Sequence, residues 1–86
     1  MYRLLLSGKA EKSLVQFQKN NSRLFRRMMN ALEDIAADPY SAKPLTGDLS
    51  GHYSFRVGDY RIIYEIDARE LVVFIEKLLH RKEVYR

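Results

Sequence analysis

The hydrophobic pattern of the chain changes its period near the middle, and this change limits the fold more than any other feature. In the first half, apolar side chains recur every three or four positions, as in Leu24, Met28 and Leu32, which is the spacing of one helix face. From His52 onward, large apolar residues alternate with polar ones, as in strands with one covered face. A helical layer followed by a sheet is therefore expected, which defines an α+β protein.

The helical half contains clear start and stop signals. Residues 2–6 form an apolar run that predicts a first strand, and Ser7 supplies a hydroxyl that can cap a helix opening near Gly8. Asn20-Asn21 interrupts the apolar spacing and indicates the turn of a helical hairpin. The second helix is expected over residues 22–37, because the residue before a proline disfavours helical geometry and Pro39 follows.

Three strands are expected after a loop at residues 39–48. Residues 52–57 and 60–66 are separated by Gly58-Asp59, which is a hairpin signal. Residues 71–77 are apolar on both faces, so this strand is placed near the sheet centre. The predicted order is β-α-α-β-β-β, a helical hairpin packed on an antiparallel sheet.

Composition excludes several kinds of site. The 86 residues fit one domain, residues 1–86, and contain no cysteine and only two histidines, His52 and His80, so neither a metal nor another cofactor is predicted. No apolar run approaches the roughly 20 residues of a membrane span, and the N-terminus lacks the apolar segment of a signal peptide. We therefore expect a cytoplasmic protein without a membrane partner. The net charge of +4 favours an anionic partner such as nucleic acid.

Strand alternation predicts a cationic open face. If the apolar positions Phe55, Val57, Ile62 and Tyr64 point toward the helices, two arginines project together from the other face, and the C-terminal residues arrive beside them: Arg56, Arg61, His80, Arg81, Lys82 and Tyr85. Guanidinium groups bind phosphate through paired hydrogen bonds and stabilise the added charge of a pentacovalent phosphate. A histidine or tyrosine can move protons. Metal-independent RNA cleavage by 2′-hydroxyl attack fits this set.

Each of these residues also has a purely structural interpretation. Arg61 can pair with Glu65 or Glu76, and Arg56 can pair with Asp59. The C-terminal alternatives are a polar strand end, a solvated basic tail and an apolar plug, for His80, for Arg81 with Lys82, and for Tyr85. The residue pattern alone leaves these alternatives open.

Three motifs, taken together, resemble the RelE/ParE toxin superfamily of type II toxin–antitoxin systems over nearly the whole chain. They are Lys-Pro-Leu-Thr-Gly-Asp-Leu-Ser-Gly at residues 43–51, Arg-Val-Gly-Asp-Tyr-Arg at residues 56–61, and His-Arg-Lys-Glu-Val-Tyr at residues 80–85. The resemblance implies the same β-α-α-β-β-β fold. In the RelE-like branch it implies cleavage of mRNA, commonly in the ribosomal A site, leaving a 2′,3′-cyclic phosphate.

The resemblance also implies roles for individual residues. Catalytic arginines fall on Arg61 and Arg81, and His80 and Tyr85 compete for the role of proton carrier. Further contacts to RNA phosphates are expected from three basic residues, Arg56, Lys43 and Lys82. Because YoeB-like members carry a loop carboxylate where this chain has Lys43, the assignment of the base stays open.

The family further implies partners. A small RelB-like antitoxin is expected to fold over the toxin, with operator DNA bound only through the complex of the two. Residues 72–75, and Leu24-Phe25 with Met28-Met29 on the second helix, are candidates for its groove, although all can instead be ordinary core. Two other functions stay open: a ParE-like inhibitor of DNA gyrase that does not cleave RNA, and a catalytically inactive module that binds an antitoxin or operator DNA.

Overall fold

The first half of the chain folds into the predicted helical hairpin. In the computed structural model, which describes residues 1–84, helix α1 spans Gly8–Asn20 and helix α2 spans Ser22–Ala37. Each helix begins at a side-chain cap: Ser7 Oγ accepts a hydrogen bond from the backbone N–H of Ala10 at 3.0 Å, and Asn21 Oδ1 accepts one from that of Leu24 at 3.2 Å. These caps satisfy amides that have no partner inside the helix. Among the described helices, none combines the length and apolar character needed to cross a membrane.

Five strands form the sheet, in the spatial order β1-β5-β4-β3-β2. They are β1 (Arg3–Leu6), β2 (Lys43–Pro44), β3 (His52–Val57), β4 (Tyr60–Asp67) and β5 (Val72–His80). Strands β3, β4 and β5 pair antiparallel, whereas β1 runs parallel to β5. The α+β class, the order of the main elements and the interior position of β5 are confirmed. The parallel pairing was not predicted; it covers the edge of β5 that β4 leaves free.

The largest local differences from the sequence prediction lie in the loop and at the end of β5. The predicted loop at residues 39–48 contains a 3₁₀ helix, Pro39–Ser41, and the short strand β2. Strand β5 runs to His80 instead of ending at Lys77, and a helical turn, α3 (Arg81–Val84), follows it. The strand is longer because β4 pairs with it back to Tyr60, which lies opposite His80. A β-bulge interrupts this pairing: Ile63 pairs with Lys77 and Tyr64 with Ile75, so one additional residue of β5 is absorbed between them.

The core lies between the helical hairpin and one face of the sheet. Side chains with no solvent exposure include Met28 and Ile35 from α2, and Ile62, Tyr64 and Ile75 from the sheet. The hydroxyl of Tyr64 donates to the carbonyl oxygen of Pro39 at 2.6 Å, so its polar atom is satisfied inside the core. The inward orientation predicted for Val57, Ile62 and Tyr64 is confirmed, and Phe55 is half-buried against them. The helices cover one face only, and the opposite face carries Arg56, Arg61 and Glu65 together with the apolar Ile63 and Phe74.

Candidate functional site

Two arginines are held side by side on the open face by the β3–β4 hairpin. Arg56 and Arg61 are direct cross-strand partners, so their side chains leave the sheet on the same face. The connecting turn contains Gly58 with a φ of +59°, a left-handed conformation that glycine adopts without steric cost. Arg56 Nε donates to the carbonyl oxygen of Gly58 at 3.1 Å, which bends this side chain over the turn.

Strand β5 brings the third arginine to the same place. Its last residue, His80, pairs with Tyr60 at the start of β4, and the backbone N–H of Arg81 donates to the carbonyl oxygen of Asp59 at 2.6 Å. The result is a surface cavity of about 230 Å³, here called the arginine pocket, which is lined by Arg56, Gly58, Asp59, Tyr60, Arg61 and Arg81. The predicted convergence of Arg56, Arg61 and Arg81 on one open surface therefore occurs in the structure.

These guanidinium groups are not neutralised by the carboxylates that the sequence suggested. Within residues 1–84, Glu65 and Glu76 contact the ring of His52, and neither forms a salt bridge with Arg61. Arg61 Nη1 instead donates to the hydroxyl of the buried Ser54 at 3.2 Å. An Arg56–Asp59 salt bridge is likewise absent from the described residues. The pocket consequently presents three cations and the single carboxylate of Asp59, a composition suited to a phosphate group.

His80 does not line the arginine pocket, and its side chain does not share the open face with the three arginines as predicted. It pairs with Tyr60, whose ring packs against helix α1, so it lies toward the helix-covered side. Its ring packs edge-on against Tyr60, with ring centroids 5.0 Å apart, and its Nδ1 accepts a hydrogen bond from the backbone N–H of Lys82 at 3.2 Å. The backbone N–H of His80 donates to Glu83 Oε1 at 3.2 Å. These reciprocal bonds form a capping box that begins α3, so His80 has a structural task. Lys82 is exposed, and Tyr85 lies outside the described residues.

Lys43 contacts a different part of the open face. It lines a second cavity of about 260 Å³, together with Ser54, Arg61, Glu76, Lys77, Glu83 and four apolar or aliphatic neighbours, Leu45, Leu49, Ile63 and Leu79. Arg61 is shared by this cavity and the arginine pocket. The sequence prediction grouped Lys43 with the phosphate-binding residues. In the structure Lys43 lines only the second cavity, whereas Arg56 and Arg81 line only the arginine pocket.

A histidine–carboxylate cluster occupies the remainder of the open face. His52 Nε2 lies 2.9 Å from Glu76 Oε2 and 3.5 Å from Glu65 Oε1. A hydrogen bond with Glu76, partial burial and the charge of Glu76 raise the pKa of Glu65, and the charge of His52 opposes this shift. Such nitrogen and oxygen atoms can bind zinc, but a zinc-bound histidine ordinarily donates from its other nitrogen, and His52 Nδ1 is buried without a partner in the described structure. The contacts favour a hydrogen bond between His52 and Glu76, with Glu65 beside them.

Three contributors to the site were not identified from the sequence. Ser54 orients Arg61, and Asp59 and Tyr60 line the arginine pocket. Asp59 and Tyr60 stand inside the Arg-Val-Gly-Asp-Tyr-Arg motif, so a signal for them was present. The buried position of Ser54 carries no comparable signal, because a serine in an alternating strand is also an ordinary solvent-facing residue.

Comparison with known proteins agrees with this geometry. Residues 4–85 match the family described as the ParE toxin of the type II toxin–antitoxin system parDE. The chain is 39% identical to Toxin RelG of Mycobacterium tuberculosis over 57 residues, which cover 65% of this chain and 66% of RelG. It is 34% identical to Toxin YoeB of Synechocystis over 62 residues, which cover 66% of this chain and 72% of that toxin.

Solved structures show the same fold. A chain of the toxin–antitoxin complex RelBE2 from Mycobacterium tuberculosis superposes with a TM-score of 0.78 at 30% identity, covering 93% of this chain and 98% of its own length. The family match over most of the chain, the identity to RelG and YoeB, and the shared architecture point to one assignment. The chain belongs to the RelE/YoeB/ParE family of toxins of type II toxin–antitoxin systems.

Proposed function

We propose that this toxin is a metal-independent endoribonuclease that cleaves mRNA, at the ribosomal A site. The observation that carries the proposal is the arginine pocket, in which Arg56, Arg61 and Arg81 converge without a salt-bridge partner among the described carboxylates. Three cations grouped on a solvent-open surface suit the phosphodiester of a polyanion.

The chemistry that fits the pocket is an internal transfer of the phosphoryl group. The 2′-oxygen of one nucleotide attacks the adjacent phosphorus, and the bond from phosphorus to the 5′-oxygen of the next nucleotide breaks. The products are a 2′,3′-cyclic phosphate and a 5′-hydroxyl. Because the pentacovalent transition state carries more negative charge than the ground state, the Arg61 and Arg81 guanidinium groups stabilise the transition state more strongly.

Two protons must move in this reaction, one from the 2′-hydroxyl and one to the 5′-oxygen. The family resemblance assigns this work to His80 or Tyr85. His80 Nδ1 accepts the Lys82 N–H, so a proton on its ring is carried by Nε2, and the ring contacts Tyr60 of the pocket. Tyr85 lies outside the described residues. Asp59 is the one carboxylate that lines the pocket within residues 1–84, and it is a further acceptor for the 2′-hydroxyl proton.

The proposed partner is a RelB-like antitoxin, and operator DNA is bound only through that complex. The RelBE2 structure, which the fold resembles at 30% identity, is a toxin–antitoxin complex. Apolar side chains available to such a partner include Phe74 on β5, 41% exposed, and Met29 on α2, 40% exposed. Phe25 of α2 is instead packed against the core, and Val72, Val73 and Ile75 are buried. A segment that folds on binding can cover the remaining apolar sites.

Primer extension on mRNA from briefly induced cells tests the proposal. Wild type is expected to produce new cuts within translated codons, and Arg81→Ala is expected to abolish them. Arg69→Ala is the matched control, because Arg69 is equally basic and exposed but lies on the β4–β5 turn, outside the arginine pocket. Cuts in untranslated regions as frequent as those in codons would exclude ribosome dependence.

One other function has a specific observation in its favour. The family that matches residues 4–85 is described as a ParE toxin, and its ParE branch acts on DNA gyrase without cleaving RNA. A toxic wild type that leaves mRNA intact, with Arg81→Ala equally toxic, would favour that function. A wild type without any toxicity would favour an inactive binding module.

A further inference from the structure

A fourth arginine, Arg27 of α2, lies against the turn that forms one wall of the arginine pocket. A β-carbon placed on Gly58 would lie 3.0 Å from Nη2 and 3.1 Å from Nη1 of Arg27. The guanidinium group therefore rests on Gly58, in the space that a side chain would otherwise fill. Gly58 also lines the arginine pocket, so Arg27 and the pocket are separated by the width of one turn.

The rest of the helical hairpin confirms that this end of α2 reaches the same end of the sheet. The ring of Phe17, near the end of α1, packs edge-on against Tyr60 with centroids 5.3 Å apart, and Tyr60 lines the pocket. Arg23 precedes Arg27 by four residues, and residues so spaced lie on the same flank of a helix. Both arginines are exposed, and neither forms a salt bridge with a carboxylate in the described part of the chain.

A bound polyanion that extends beyond the arginine pocket can follow two routes over the surface, and the side chains along these routes differ in charge. The route across the open face enters the second cavity, where Lys43 and Lys77 are accompanied by the carboxylates of Glu76 and Glu83. The route across Gly58 reaches Arg27 and then Arg23, and the first acidic residue of α2 is Glu33. Repulsion from carboxylates weakens the first route, whereas on the second route α2 presents Arg27 and Arg23 before any of its own carboxylates.

We propose that the RNA strand held in the arginine pocket crosses the β3–β4 turn at Gly58 and places a neighbouring phosphate on Arg27, with Arg23 contacting the strand further along. This inference rests on the proposed function, since it takes RNA as the ligand. Arg27 is a binding residue that sets the direction of the strand, and the reacting phosphate stays with Arg61 and Arg81.

Salt-dependent binding of a non-cleavable RNA tests the inference. Fluorescence anisotropy with a fully 2′-O-methylated oligonucleotide is compared with that of a 2′-O-methylated dinucleotide, which fills the arginine pocket only. For the longer RNA, Arg27→Gln is expected to reduce the slope of log affinity against log salt by about 0.7, the value for one phosphate contact on a single strand. The dinucleotide is expected to bind wild type and Arg27→Gln alike. Arg69→Gln is the matched control and is expected to change neither slope.

Three results would overturn the inference. One is a longer-RNA slope of Arg27→Gln equal to that of Arg69→Gln. Another is an equal loss of affinity for the dinucleotide, which would mean that Arg27 only supports the turn. The third is failure of Arg27→Lys, which keeps the charge, to restore the slope. Circular dichroism on each variant establishes that it is folded before binding is measured.

Cleavage of natural RNA separates this inference from the proposed function. If wild type cleaves RNA and Arg27→Gln raises KM at unchanged kcat, both are supported. If wild type cleaves RNA and Arg27→Gln is indistinguishable from it, the inference fails and the function stands. If wild type binds RNA with the Arg27-dependent slope but never cleaves it, the function fails and the route of the strand stands.

Discussion

On the helix-covered face of the sheet, Ile62, Tyr64 and Ile75 have no solvent exposure, and the buried hydroxyl of Tyr64 is bonded to a backbone carbonyl. On the open face of the same strands, Arg56 and Arg61 form a cross-strand pair of like charge. Like charges placed opposite each other destabilise a sheet, so this pair costs stability that the covered face must supply. Stability and the proposed phosphate binding thereby fall on alternate residues of the same strands, and changes to the two faces should have separable effects.

The largest expected effect is on catalysis and comes from the open face. In the proposed mechanism, Arg61→Gln removes a cation that stabilises the developing charge, so the rate of RNA cleavage is expected to fall by about 100- to 1,000-fold. The free energy of unfolding is expected to change by less than about 1 kcal/mol, because the bond from Arg61 to Ser54 is a single side-chain contact. Single-turnover cleavage and urea denaturation of the same preparation measure both. A loss of several kcal/mol would show that the faces are not separable.

The reverse result is expected from the covered face. Ile75→Ala removes buried methylene and methyl groups and leaves a cavity, so the free energy of unfolding is expected to fall by about 2–5 kcal/mol. Ile75 has no exposure and no contact with the arginine pocket, so cleavage per folded molecule is expected to match wild type. Urea denaturation gives the first quantity, and cleavage corrected for the folded fraction gives the second. Slower cleavage by the fully folded variant would contradict the division between faces.

The sequence predicts the covered face better than the open one, for a physical reason. Burial imposes a period on the chain, so Met28, Ile62 and Tyr64 reveal their environment through their spacing alone. The bulge in β5 after Ile75 and the extension of that strand to His80 leave no such trace, because both depend on the pairing of β5 with another strand. Period-two reasoning therefore ended β5 at Lys77, three residues early.

The arginines of the site show the same limit. Alternation predicted that Arg56 and Arg61 share a face, and the structure confirms it. Alternation did not decide whether Arg61 is free to bind phosphate or is paired with Glu65 or Glu76. That choice depends on the contacts of both carboxylates with His52, which the pattern does not predict. Arg27 was outside any motif, and its contact with Gly58 follows from how the helical hairpin packs on the sheet.

An intermediate effect is expected from the hydroxyl of Tyr64, which is buried on the covered face. Tyr64→Phe leaves the Pro39 carbonyl without its donor, so the free energy of unfolding at pH 7 is expected to fall by about 1–2 kcal/mol. Urea denaturation measures this loss. Tyr53→Phe is a suitable control, because the Tyr53 ring is stacked on Tyr64 but is only half-buried. An equal loss in both variants would show that the hydrogen bond to Pro39, which Tyr64 makes and Tyr53 does not, is not the source of the loss.

The same residue makes a prediction at alkaline pH. Burial, followed by the neighbouring Tyr53 and Asp38, raises the pKa of Tyr64 to about 12. The folded protein keeps this proton to a higher pH than the unfolded chain, whose tyrosines titrate near 10, so the stabilising contribution is complete below pH 10 and is lost between about pH 10 and 12. The difference in unfolding free energy between wild type and Tyr64→Phe is expected to shrink over that interval. A difference that stays constant to pH 12 would mean that Tyr64 is not protected from ionisation.

The smallest expected effect concerns Glu65, the neighbour of Tyr64 that points to the open face. Its pKa is raised, mainly by the hydrogen bond with Glu76 and then by burial and the charge of Glu76. A raised pKa in a carboxyl group means that the folded state disfavours the charged form present at pH 7. Glu65→Gln is therefore expected to increase the free energy of unfolding at pH 7 by about a few tenths of a kcal/mol, a small amount because solvent screens this partly exposed group. The gain is expected to vanish as the pH falls through the pKa of Glu65, since the wild-type side chain then takes up its own proton.

Glu76→Gln is the opposite case, because it weakens the 2.9 Å contact with His52, and it is expected to lower stability at pH 7. If both variants shift the urea midpoint in the same direction, the two carboxylates do not compete for His52. The repulsion between Glu65 and Glu76 on the open face is then weaker than their geometry indicates.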